Sequence, residues 1–271
     1  MNNLFALKDF GFLSVTGRDA QKFLQGYTTC DLEDLGEQEV RSGAICNIKG
    51  RMVCNFMICR ESDGFLLRVK RSLIEPTVAF LGKYIVFSKA TAEDRSADFN
   101  CYGSLSADDN FPQALHEITP TPEGRILRLS EQRYELWVTS SLEADGDVSE
   151  WLAVELADGV VWVDDKTTEE YIPQMFNLHG TGGISFTKGC YLGQEIVARM
   201  QYRGELKNRL HLGSTDAANA PSVGTKVVNL EGKNAGAVVS VANGTFAAVL
   251  RVDEAGYQLE DGTQLETRLI A

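Results

Sequence analysis

The chain has 271 residues, 44% hydrophobic and 24% charged with only 6 prolines, which excludes a disordered or fibrous protein and leaves room for about two domains. No apolar run approaches the roughly 18–20 residues of a membrane helix, and the opening MNNLFALKDF lacks the basic-then-apolar order of a secretory signal, so a cytoplasmic location is expected. A net charge of −12 argues against broad binding to duplex nucleic acid.

Along the chain, Phe10–Val15 reads as a strand, and Asp19 is placed to cap a helix carrying Ala20, Phe23 and Leu24 on one face. Val40–Ile48 and Arg51–Cys59 are strand-like runs around Lys49-Gly50, a hairpin, and Phe65–Val69 follows the turn Ser62-Asp63-Gly64. Leu73–Tyr84 reads as a helix that tolerates Pro76 only in its first turn. Ile85–Lys89, Phe99–Tyr102, Arg125–Leu129 and Tyr134–Val138 read as extended. Val148–Ala157 reads as an amphipathic helix with Trp151, Leu152 and Leu156 on one face, stopped by Asp158-Gly159. The alternation predicts an α+β body over residues 1–204. After Gly204 the texture changes to short β-rich runs at Leu206–Gly213, Thr225–Leu230, Ala235–Val241, Phe246–Arg251 and Gln264–Leu269. They predict a small barrel or sandwich over residues 205–271.

Six cysteines form no C-x-x-C pair and no zinc or ferredoxin-type spacing, so no metal site is expected and the thiols fit a reducing compartment. One of them stands out. Lys188-Gly189-Cys190-Tyr191-Leu192-Gly193-Gln194-Glu195 sets a thiol just ahead of a helix read from Gln194 to Met200. A helix N-terminus and a nearby ammonium both favour a thiolate, so Cys190 is the candidate reactive group with Lys188 as its activator. Charge is uneven as well. Residues 40–72 balance to +5 and residues 185–211 to +3, two basic islands that suit a compact anionic ligand.

The ordered motifs resemble the YgfZ family of folate-binding proteins, relatives of the glycine-cleavage aminomethyltransferase (T-protein) tied to iron–sulfur cluster assembly and tRNA modification. The match runs through Phe23-Leu24-Gln25-Gly26, Lys49-Gly50-Arg51-Met52, Arg71-Ser72 with Glu75-Pro76, and Lys83-Tyr84-Ile85-Val86-Phe87-Ser88-Lys89. It continues through Ile172-Pro173-Gln174, Asn177-Leu178, Gly182 to Phe186, the cysteine run, Ile196-Val197-Ala198-Arg199 and Arg203-Gly204. The resemblance implies two ferredoxin-like lobes and a C-terminal β-barrel around a central channel that binds tetrahydrofolate.

By the same resemblance, Trp151 and Phe10 hold the folate, with Phe10 standing where close relatives carry tryptophan. Tyr191, Gln194 and Glu195 join the binding set, and Arg199 and Arg203 are candidates for the glutamate tail. Ala157 stands where relatives often carry a glutamate for the pterin's donor edge, which leaves that contact to a neighbour. Leu67–Ser72 is basic and lacks the carboxylate that the aminomethyltransferases place there, so aminomethyl transfer is not the expected activity. The leading expectation is a folate-dependent accessory factor for iron–sulfur proteins, among them cluster-containing tRNA-modifying enzymes, with Cys190 contacting a cluster, thiol or adduct. The alternative is a folate-dependent one-carbon transferase or demethylase with Cys190 as nucleophile. No KH, RRM or zinc-knuckle pattern is present, so direct RNA binding is not expected.

Overall fold

A computed structural model describes residues 4–215 and 221–270. Its first lobe is a five-stranded antiparallel sheet built from β2 (Phe10–Thr16), β3 (Val40–Cys46), β4 (Met52–Glu61), β5 (Gly64–Lys70) and β6 (Thr91–Asp94). They lie in the order β3-β4-β5-β2-β6. Helices α1 (Ala20–Gln25) and α2 (Ile74–Ile85) pack on it, with Pro76 in the first turn of α2.

The second lobe is another antiparallel sheet, ordered β1-β7-β10-β9-β8, from β1 (Leu4–Ala6), β7 (Asn100–Ser104), β8 (Ile118–Thr121), β9 (Gly124–Arg128) and β10 (Tyr134–Val138). Helix α3 (Val148–Ala157) starts where the Asp147 carboxylate accepts the Ser149 N–H, 2.9 Å away, and buries Trp151, Glu155 and Leu156.

Strand β2 separates the two main cores. Successive side chains of a strand point to opposite faces. Leu13 and Val15 therefore join the core under the first sheet, while Phe10 and Phe12 join the one that holds Phe5, Trp137, Trp151 and Trp162. The aromatic-rich second core lies between the lobes.

Helix α4 (Gln194–Tyr202) leads into a closed barrel of β11 (Asn208–Ser214), β12 (Lys226–Asn229), β13 (Asn234–Ala242), β14 (Thr245–Arg251), β15 (Tyr257–Leu259) and β16 (Gln264–Leu269). The strands close in the order β11-β14-β13-β12-β15-β16. Barrel residues Leu210, Leu212, Val249 and Ile270 pack into the first lobe's core. The α+β architecture with a terminal barrel is as the sequence indicates.

Three local expectations differ. Asp19 does not cap α1; its carboxylate instead accepts the Lys89 N–H at 2.8 Å. Ile85–Lys89 is not a strand. Helix α2 runs through Ile85, Ser88 N–H closes a turn onto the Ile85 carbonyl, and pairing with β2 begins only at Thr91. The barrel's three-residue β15 gave too little alternation to be read, yet it closes the ring between β12 and β16.

Candidate functional site

A cleft of about 290 Å³ opens between the lobes. Ser42 and Gly43 on β3 and Asn55, Phe56 and Met57 on β4 form one wall. The segment Asp158–Trp162 after α3 forms the opposite wall, and His116, Leu129, Ser130 and Arg133 close one end with Phe176, Leu178 and Thr181 nearby. Asn55 fixes the gap. Its Nδ2 donates to the Val161 carbonyl at 2.8 Å, and its Oδ1 accepts the Val163 N–H at 2.8 Å, so the chain beyond α3 is held against the face of the sheet at β4.

Arg133 is the charged centre of the cleft and is only 3% exposed. Its Nε donates to Asp158 Oδ2 at 2.6 Å and its Nη1 to Glu155 Oε1 at 3.1 Å. Burial pushes the Glu155 carboxyl above its ordinary range, against the pull of Arg133. A buried cation shared by two carboxylates is held in one orientation, because releasing any partner would strand a charge in apolar surroundings. Asp158 is the more open partner, so its second oxygen is left to accept from a ligand. His116 stands in the left-handed backbone region at φ 63°, and desolvation at the cleft's end lowers its pKa.

The cysteine run lies outside this cleft. Cys190 is exposed, whereas the other five cysteines are buried. Lys188 is turned inward: its Nζ donates to the carbonyls of Thr28 at 2.8 Å and Cys30 at 2.6 Å. Burial lowers its pKa to about 8, and the acidic groups that act on it are Cys30, Asp31 and Glu33. The expectation that Lys188 activates Cys190 is therefore corrected, since the ammonium is spent on the loop beneath the run. The expected helix N-terminus is present, with Gly193 as the cap at φ +83°. A side chain there would come 2.5 Å from the Asn47 carbonyl, so only glycine lets the hairpin tip seat against the run. Gln194 Nε2 reaches back to the Gly189 carbonyl at 3.5 Å, Tyr191 is buried beneath Lys188, and Glu195 is exposed in the first turn.

Among the described residues, no three His, Cys, Asp or Glu side chains are placed to hold a metal ion, and no helix is long and apolar enough to cross a membrane.

No protein-family model matches the chain. Over 254 residues it is 32% identical to the tRNA-modifying protein YgfZ of Escherichia coli K12 (DH10B), an alignment covering 85% of this chain and 77% of that one. The protein of the same name from Shigella dysenteriae serotype 1 matches to the same extent. The chain belongs to the YgfZ family. Its fold is shared with the glycine cleavage system aminomethyltransferase T of Bartonella henselae, at a TM-score of 0.72 over 99% of this chain and 84% of that one with 14% identity.

The positions that the YgfZ resemblance assigns to folate fall in different places. Trp151 is fully buried, and neither it nor Phe10 lines the cleft. Trp151 packs against Gly103 and lies 5.6 Å beneath the Arg133 guanidinium, so it acts on the cleft through that arginine. Phe10 and Trp162 bracket the guanidinium of Arg68 at 3.9 and 4.1 Å, and Arg68 pairs with the buried Glu135 at 2.7 Å. The slot beside Phe10 is thus filled by the protein's own arginine. Arg199, on α4, and Arg203, just past its end, are exposed and do not border the cleft.

Trp162, Arg133, Asn55 and His116 were not singled out in the sequence. Trp162 sits in the run Val160-Val161-Trp162-Val163, which has no alternation to mark one face as special. Asp158, a carboxylate flanking Ala157 and the residue that stops α3, does line the cleft.

Proposed function

We propose that this YgfZ-family chain is a folate-binding accessory protein in tRNA modification, acting on iron–sulfur enzymes of that pathway and located in the cytoplasm. The observation that carries the proposal is the cleft itself. It is lined by Trp162 and by a carboxylate, Asp158, held in place by a buried arginine, with Phe56 and Phe176 buried in its walls. That set suits a reduced pterin, whose ring packs on Trp162 and whose edge N–H groups need an acceptor. Asp158 takes the part of the carboxylate absent at Ala157. Tetrahydrofolate bound there would supply one-carbon or reducing chemistry. The chain's own residues orient it: Arg133 fixes Asp158, Asn55 sets the width of the slot, and His116 stands at its end.

Cys190 stands outside the cleft and is open to large partners, which supports an accessory role over a transferase with that thiol as its nucleophile. The names of the matched YgfZ proteins support the link to tRNA modification. Calorimetric titration with tetrahydrofolate tests the binding site. Asp158→Asn and Trp162→Leu should each weaken binding by about tenfold or more while Cys190→Ser leaves it unchanged. Wild-type protein that takes up no tetrahydrofolate, or variants that bind it as tightly, would overturn the proposal.

A further inference from the structure

Four of the sequence runs that mark the family contribute nothing to the cleft, yet they converge around Cys190. On one side, Leu192 N–H donates to the Gly26 carbonyl at 3.0 Å, and Lys188 holds the carbonyls of Thr28 and Cys30. Tyr27, in that loop, contacts Tyr84 with ring centroids 5.0 Å apart, and Tyr84 and Phe87 share a surface depression with Lys22 and Gly26. On the other side, the hairpin tip Asn47–Gly50 is seated on Gly193. The run that carries the exposed thiol is therefore fastened to two corners of the first lobe.

Both corners carry bare apolar side chains. Ile48 is 76% exposed at the hairpin tip; Phe87 is 97% and Val86 66% exposed at the turn after α2. Scattered single exposures need no explanation, but three large apolar groups flanking one exposed cysteine form the kind of patch that marks an interaction site. Exposed lysines ring them: Lys22, Lys49, Lys83 and Lys89 make no ion pair among the described residues. Facing them, Asp19 is occupied by the Lys89 N–H and lies beside Arg18, Glu169 accepts from Asn47 Nδ2 at 3.1 Å and Glu170 lies 3.7 Å from Arg51 at the hairpin corner, and Glu195 is exposed on α4. Apolar centre and charged rim match the anatomy of a protein interface. Phe87 and Tyr84 are exposed rings, but the aliphatic Ile48 and Val86 make up the rest of the apolar surface and the chain as a whole carries −12, so the occupant favoured is a protein and not RNA.

We propose that this face docks a partner protein with an acidic rim around an apolar recess, and brings that partner's reactive site to Cys190. The inference rests on the accessory reading above for the thiol's role, while the docking itself rests on the surface alone. The test measures the affinity of the full chain for a purified iron–sulfur tRNA-modifying enzyme from the same organism, at low and high salt. Ile48→Ser with Phe87→Ser should weaken binding by roughly tenfold or more, since such anchors dominate interfaces. Lys49→Glu with Lys83→Glu should do the same and flatten the salt dependence. Both pairs should keep the wild-type melting temperature and tetrahydrofolate affinity, and Cys190→Ser should bind the enzyme normally. No binding by the wild type, or equal binding by the paired variants, overturns the docking proposal. So does salt-dependent binding of bare tRNA that the same variants lose. Full tRNA modification in cells carrying Cys190→Ser would instead sink the accessory reading and leave the docking face standing.

Discussion

The Nζ of Lys188 lies 2.6 Å from the carbonyl oxygen of Cys30, and this contact fastens the cysteine run to the loop that follows α1. The two segments are 158 residues apart in the chain. The lysine fixes where Cys190 stands and leaves the sulfur itself facing outward.

Replacing that lysine should show its structural role first. Lys188→Met leaves the carbonyls of Thr28 and Cys30 short of a donor and should cost about 1–3 kcal/mol in denaturant unfolding. The pH dependence has a definite sign. Folded Lys188 loses its proton near pH 8 and the unfolded side chain near 10.5. Between those values the unfolded chain holds the extra proton, so this group adds stability as pH rises and takes it away as pH falls through 8. The stability of the wild type relative to Lys188→Met should therefore increase from pH 8 to 10. A difference that stays flat over that window would show the lysine to be solvated.

Alkylation should single out Cys190. Burial raises the pKa of Cys30, Cys54 and Cys59 to about 11 and raises those of Cys46 and Cys101 as well, so these thiols are both shielded and protonated at neutral pH. Treatment of the native protein with iodoacetamide followed by peptide mass spectrometry should find one modified site. Comparable labelling of any of the other five would mean that the lobe opens readily.

Trp151 should prove to be a stability residue. A Cβ added at Gly103 would fall 2.5 Å from the Trp151 ring, so Gly103→Ala should destabilise by about 1–3 kcal/mol through overpacking. Trp151→Ala should cost about 3–5 kcal/mol by leaving a cavity. Chemical denaturation of both variants, with tetrahydrofolate affinity measured at a temperature where each is folded, separates this from a role in contacting ligand. Undiminished stability together with lost affinity would return Trp151 to the binding surface.

The Arg68–Glu135 pair offers a double-mutant test. Both side chains are fully buried, and Glu135 also accepts from the Trp137 indole at 2.8 Å. Glu135→Gln strands a buried guanidinium and should cost about 3–5 kcal/mol, whereas Arg68→Leu with Glu135→Leu should recover most of that loss. If the double variant is as unstable as the single one, the pair is not the source of the cost.

Much of this molecule was legible before any coordinates. Alternating strands, the Asp158-Gly159 helix stop and the change of texture after Gly204 are local signals, so they specified two kinds of body and most element positions. The exposed, motif-borne Cys190 at a helix start was legible for the same reason: capping and turn chemistry act within a few residues. Direction and partnership were not. Whether Lys188 points to the sulfur two residues on or to a carbonyl 158 residues away depends on which surface the loop lands against, and sequence spacing carries no information about that. Trp151 and Trp162 are equally aromatic and lie eleven positions apart. Only the packing of α3 against Gly103 buries the first, and only the clamp of Asn55 on Val161 and Val163 turns the second to the cleft. Local chemistry named the elements and the thiol, and long-range packing chose the ligand's walls.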